Sequence, residues 1–218
     1  HEVTYSKFAL VNKAVYIAKI SWSEDSRDIG RWTATGAQFA HPYVFKTLFS
    51  HEKVNLDDLS EVKQVKSALY LNMNEKDGVD YHFMTEEDFK EHIQHNDFVE
   101  WEMVYEGKYY GTLKSELQKI WDQYKIPVLD IDVKGAIHVQ QQYPHTSLSL
   151  FIEPPSVGEL KNRLLARGTE TEASLQARIN KAAYELSFKK HFNKVITNNH
   201  LETACQEATE IVSNFMKG

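Results

Sequence analysis

The chain has 218 residues, 42% hydrophobic and 26% charged, which suits one globular domain or one domain carrying an inserted subdomain. A formal net charge of −6 argues against a nucleic-acid binder, and no apolar run reaches the length of a membrane span. A single cysteine, Cys205, permits no internal disulfide and fits a reducing compartment; with no secretory signal pattern at the start, the expected location is the cytoplasm.

Residues 1–76 carry few signals; Ala14 to Ala18 suggests a strand and Tyr43 to Phe49 a buried helix or strand. From Asp77-Gly78, a turn dipeptide, the pattern sharpens. Val79, Tyr81 and Phe83 alternate with Asp80 and His82, as in a half-buried strand. Thr85 followed by Asp88 predicts a capped helix that turns Phe89 and Ile93 inward. Residues 98–112 predict two strands around a turn at Glu106-Gly107, and Leu113, Leu117, Ile120, Trp121 and Tyr124 recur at helical spacing.

Ile126 to Ile131 predicts a buried parallel strand at the centre of the fold, with Asp130 and Asp132 at its carboxyl end. Ligands of open α/β sheets bind beyond such ends, and a carboxylate there can steer a phosphate through Mg²⁺. Strict alternation would aim both aspartates at one site; the plainer alternative is that they cap the next helix. A helix over 134–142, a strand at Leu148 to Ile152 and a helix started by Ser156 and Glu159 follow. Gly168 stops that helix, Thr169 and Glu172 start another running to about residue 190, Lys194 to Thr197 forms a last strand, and Leu201 to Phe215 a closing helix. Strands alternating with helices predict an α/β fold with a mostly parallel sheet. Residues 161–194 are rich in Lys and Arg, a local basic surface suited to a small polyanionic ligand.

Taken together, Asp77 to Phe83, Phe98-Val99-Glu100, Tyr109 to Thr112, Leu129 to Asp132, Arg163 to Glu172 and Val195 to Asn198 resemble the guanylate kinase family in order and spacing. The resemblance covers residues 77–216. It implies the P-loop nucleoside monophosphate kinase-like three-layer fold, with 1–76 and 113–218 as core, 77–112 as an inserted β-rich GMP-binding subdomain, and a helical lid near 165–180. It implies Mg²⁺-dependent phosphoryl transfer from ATP to GMP by a monomer or homodimer, giving ADP and GDP. On the GMP side it places Tyr81, Glu100, Tyr110, Thr112 and Asp132. Guanine offers two donors on one edge, which the acceptor-only Glu100 can take; the tyrosine hydroxyls would hold the phosphate. Arg167, Arg178 and Asp130 take the catalytic roles, Asp130 also approaching Mg²⁺ through water, while Arg163 and Asn198 fall on the ATP side. Guanidinium forks suit phosphate oxygens, and phosphoryl transfer needs alignment and charge stabilisation above all.

Two family features are missing. No G-x-x-x-x-G-K-[ST] loop occurs, and its slot by spacing, residues 35–42, has one glycine and no lysine. Where the family carries arginines before the Asp-Gly turn, this chain reads Lys66 to Asn74, and no arginine lies between Arg31 and Arg163. The alternative reading is therefore a guanylate-kinase-like domain that has lost ATP chemistry and binds proteins. A loop-shaped turn near residues 35–42 is expected all the same.

Overall fold

The computed structural model describes residues 13–19, 54–67, 77–78, 81–105, 107–166 and 172–217. The expected phosphate-loop slot at 35–42, the segment 43–49, Arg167 and residues 167–171 of the expected lid lie outside the described residues.

Five parallel strands form the main sheet: β1 (Ala14–Lys19), β2 (Leu59–Glu61), β7 (Ile126–Ile131), β8 (Ser147–Glu153) and β9 (Lys194–Thr197), in the order β2-β7-β1-β8-β9. The run 126–131 is apolar on both sides because both faces of the strand are covered. Ile126 and Val128 enter a core with Leu148, Leu150, Ile196 and the inner face of the last helix, Leu201–Lys217. Leu129, Ile131 and Phe151 enter the core on the opposite face, with residues of the helices Lys114–Asp122, Val133–Gln142, Val157–Ala166 and Glu172–Leu186. The result is a three-layer α/β fold, helices on both faces of a parallel sheet. In chain order the helices are α1 (Glu86–Gln94), α2 (Lys114–Asp122), α3 (Val133–Gln142), α4 (Val157–Ala166), α5 (Glu172–Leu186) and α6 (Leu201–Lys217).

Local signals explain most boundaries. Thr85 Oγ1 accepts from the Asp88 amide at the start of α1, and Ser156 Oγ from the Glu159 amide at the start of α4. Two ends differ from expectation. Tyr124 leaves α2 with φ 57° and is exposed, so its helical spacing ends at Trp121. Helix α5 stops at Leu186, and a short 3-10 turn at Lys189–His191 precedes β9.

A second, four-stranded sheet has the order β4-β3-β6-β5, with β3 (Val65–Ser67), β4 (His82–Met84), β5 (Phe98–Tyr105) and β6 (Lys108–Leu113). The expected insertion at 77–112 omits β3, which is hydrogen-bonded inside this sheet to both β4 and β6. One face is apolar: Val65, Phe98 and the α1 residue Phe89 are buried together, with Tyr109 and Leu113 against them. Phe89 stacks on Phe98 and Tyr109 at centroid distances of 4.4 and 5.3 Å.

The opposite face is polar, and a β-bulge creates the division. Phe98 pairs with Leu113, but Glu100 pairs with Thr112, so β5 advances two residues while β6 advances one. The extra residue reverses the alternation. Phe98 thus points at α1 and Glu100 at the other side, although strict alternation would give both one face.

Candidate functional site

The polar face of the second sheet collects residues from all four strands. Lys66 pairs with Tyr110 and with Phe83; Tyr110 pairs with Glu102; Thr112 pairs with Glu100. Directly opposed residues share a face, and so do residues two apart, which adds Gln64 and Tyr81. The amino end of α3 meets this face from the main domain.

Glu100 is 4% exposed. Its Oε1 accepts from Thr112 Oγ1 at 2.6 Å and from Gln64 Nε2 at 3.2 Å. Two neutral donors hold the carboxyl in place without cancelling its charge. Burial pushes its pKa from 4.5 up to about 7; the nearby Asp132 adds to the rise, and the Thr112 and Gln64 hydrogen bonds oppose it. The other oxygen, Oε2, lies against Gly135: a Cβ there would sit 2.7 Å from it and 3.2 Å from Asp132 Oδ1. Only glycine lets α3 approach this closely.

Asp132 lies one residue past β7, where the alternation of the strand stops. Its side chain turns back to accept from the Gly135 amide at 2.7 Å and caps α3. Asp130 stays on the strand, half-buried, on the sheet face of Ile126 and Val128. The two aspartates therefore leave the strand in different directions, one as a helix cap beside Glu100 and Glu102. Glu102 is raised above the usual carboxylate range by burial and by Asp132, while Lys134, 3.4 Å from it, pulls the other way.

Tyr81 and Tyr110 meet edge to face at 5.8 Å. Between them and Phe83 lies the Lys66 side chain, whose Nζ is 5.1 Å from the Tyr110 ring centroid, 5.2 Å from Tyr81 and 5.9 Å from Phe83. Sequence reading nominated neither Lys66 nor Gln64. Both sit in a short segment without periodicity, and only pairing across the sheet turns them to this face.

The residues expected on the ATP side form a separate group at the carboxyl ends of β8 and β9. Arg163 on α4 donates through Nε to Glu159 Oε1 at 2.7 Å and through Nη1 to the Asn198 carbonyl at 3.1 Å. Asn198 is 3% exposed, and its amide donates to the Glu153 carbonyl at 2.8 Å. It stands three residues before α6, whose cap position is His200. Arg178 lies half-buried on α5.

Comparison with known proteins places this arrangement. The profile of the guanylate kinase family matches residues 47–215. The chain belongs to the guanylate kinase family. A guanylate kinase of Bacteroides fragilis is 43% identical over 143 residues, 66% of this chain and 70% of its own length. One from Bacteroides thetaiotaomicron is 42% identical over 142 residues, 65% and 70% of the two chains. The crystal structure of guanylate kinase from Anaplasma phagocytophilum matches with a TM-score of 0.67, covering 95% of this chain and 88% of that one. At 22% identity that last match speaks to the fold alone. As a guanylate kinase family member the chain is a phosphotransferase of the GMP-phosphorylating kind, and nothing favours the protein-binding alternative over that reading. Among the described residues, no helix is long and apolar enough to cross a membrane.

Proposed function

We propose that this chain transfers a phosphoryl group from ATP to GMP, giving ADP and GDP, and that the polar face of the second sheet recognises guanine. The observation that carries the reading is Glu100: a buried carboxylate held at one oxygen by Thr112 and Gln64, with the other directed to the end of α3. Guanine presents N1–H and an exocyclic amine on one edge, two donors that match an ionised carboxylate. Adenine would leave Glu100 facing an acceptor nitrogen, and an unmatched buried polar group discriminates strongly. Asp132 would take part from the cap of α3, and Tyr81 and Tyr110 would hold the nucleotide's phosphate through their hydroxyls.

The catalytic assignment places Arg167 and Arg178 on a lid near 165–180 that closes over the phosphates, excludes water and supplies charge where it develops. Arg163 and Asn198 would line the ATP side. The residues present fit a hydrated Mg²⁺: that ion keeps several waters and needs one or two carboxylates, which Asp130 can provide through water. When bound, the ion would neutralise negative charge on the transferred phosphoryl group. In this reading residues 1–76 and 113–218 form the core, 77–112 the bulk of the GMP subdomain, and the protein works in the cytoplasm as a monomer or homodimer.

A coupled assay for ADP release tests the proposal. ADP should appear with ATP, GMP and Mg²⁺ and fall to background when GMP is replaced by AMP or Mg²⁺ is removed. Equal turnover with AMP, or none with GMP, overturns it.

A further inference from the structure

Glu159 stands three residues after Ser156, the position of a reciprocal helix cap. Ser156 Oγ accepts from the Glu159 amide at 3.0 Å. In the full motif the carboxylate would return to the Ser156 amide. Here Glu159 Oε1 accepts from Arg163 Nε at 2.7 Å instead. Pairs four apart are common on exposed helix faces. This one differs, because the Arg163 side chain is 19% exposed and its next bond leaves the helix. Arg163 Nη1 donates to the Asn198 carbonyl at 3.1 Å, 35 positions away in sequence. The Asn198 amide is held as well, donating to the Glu153 carbonyl at the end of β8, and the Asn199 amide turns back to the Thr197 carbonyl at 2.9 Å. With its amide and carbonyl both taken, Asn198 has the planar peptide on each side fixed. The direction in which its buried side chain leaves the backbone is fixed with them. A guanidinium is a rigid planar fork, so a carboxylate held at Nε sets where Nη1 points.

We propose that Glu159 is a positioning residue for the ATP side of the site, an inference that rests on the placement of ATP beside Asn198. Ligands of open α/β sheets lie beyond the carboxyl ends of the strands, and Asn198 stands directly past the end of β9. The guanine reading gives the acceptor nucleotide to the second sheet, which leaves this edge of the main sheet to the donor. In this role Glu159 touches neither nucleotide. It acts through Arg163, whose Nε and Nη1 are committed to protein acceptors and brace the connection between β9 and α6. Without the carboxylate the guanidinium keeps its reach but loses its direction, and Asn198 loses its brace.

The test compares the two nucleotides. Calorimetry with ATP and Mg²⁺, and separately with GMP, is run on the wild type, Glu159→Ala and Glu159→Gln, with thermal melts as the check on folding. Glu159→Ala should weaken ATP binding roughly tenfold, the scale of one lost charge-assisted hydrogen bond, and leave GMP affinity unchanged. Glu159→Gln keeps an acceptor for Arg163 Nε and should restore most of the ATP affinity. If Glu159→Ala fails to fold, Glu159→Asp takes its place with the same expectation, because its carboxylate falls one methylene short of Nε. A folded variant with wild-type ATP affinity overturns the proposal, since the pair would then serve stability alone. An equal loss for ATP and GMP overturns it too, as does a Glu159→Gln protein no better than Glu159→Ala. A wild type that binds GMP but not ATP overturns the placement of ATP and the proposal with it. A wild type that binds both nucleotides without turnover refutes the proposed activity instead, while the comparison of ATP affinities still reports on Glu159.

Discussion

Substituting Glu100→Gln removes a charge from a position 4% exposed while keeping its shape. Burial carries this carboxyl from 4.5 to about 7, a rise of about 2.5 that corresponds to ~3 kcal/mol at ~1.36 kcal/mol per pKa unit. Because the folded-state value lies above the ordinary one, the stability tied to this group is complete below pH 4.5 and is lost as pH rises through about 7. An amide does not titrate, so the variant escapes that loss. Relative to wild type it should gain up to ~3 kcal/mol of stability at pH 8 and little near pH 5. Its ligand affinity should move the other way. The amide nitrogen opposes guanine's donors, and binding should weaken by about 2 kcal/mol, roughly 30-fold. Guanosine is the cleaner probe of pH dependence, since it has no phosphate to titrate. Wild-type affinity for it should rise between pH 6 and pH 8 as the carboxyl ionises, whereas the variant's should stay flat. Urea unfolding at pH 5 and pH 8 and calorimetry with guanosine at pH 6 and pH 8 give the four numbers. A variant with no extra stability at pH 8, or with unchanged affinity, would refute the reasoning.

Gly135→Ala puts a Cβ 2.7 Å from Glu100 Oε2, so α3 or the carboxylate must shift; steady-state kinetics should show KM for GMP raised at least about tenfold, with ~1–3 kcal/mol lost on urea unfolding. Arg178→Ala should lower kcat by about 100-fold while GMP affinity changes little, and an equal fall in both would assign Arg178 to binding. Asn193→Ala removes the acceptor that serves both the amide and hydroxyl of buried Ser149, at 2.9 and 2.8 Å, and a thermal melt should register a loss of ~1–3 kcal/mol with guanosine affinity unchanged.

Elements with local causes were legible from the residues alone. The cap at Thr85, the cap at Ser156 and the apolar run at 126–131 depend on neighbours within a few positions, and each appears where the pattern puts it. Family resemblance named Glu100 and Thr112 separately, and their mutual hydrogen bond at 2.6 Å was not part of that reading. The illegible features are those set by partners distant in sequence. Lys66 is a lone lysine until β4 and β6 close around it. Gln64 donates to a residue 36 positions away. Asp132 was readable in two ways, on the face of Asp130 or as the cap of the next helix, and it takes the second, with a partner only three residues away, because the strand stops at Ile131. Tyr124 fitted the helical spacing but follows the last turn of α2, where a left-handed residue ends it.

The bulge between Phe98 and Glu100 leaves one residue, Val99, that is opposite no residue of β6. Val99 is buried in the core of the main domain with Leu117, Trp121 and Leu129, and its carbonyl accepts from Gln142 Nε2 on α3. Deleting the codon for Val99 would keep Phe98 opposite Leu113 and Glu100 opposite Thr112, so each face of the sheet would retain its residues. What would go is the fastening of this strand to the larger core. In a lineage of such chains, the extra residue is the heritable quantity that ties one sheet to the core of the other.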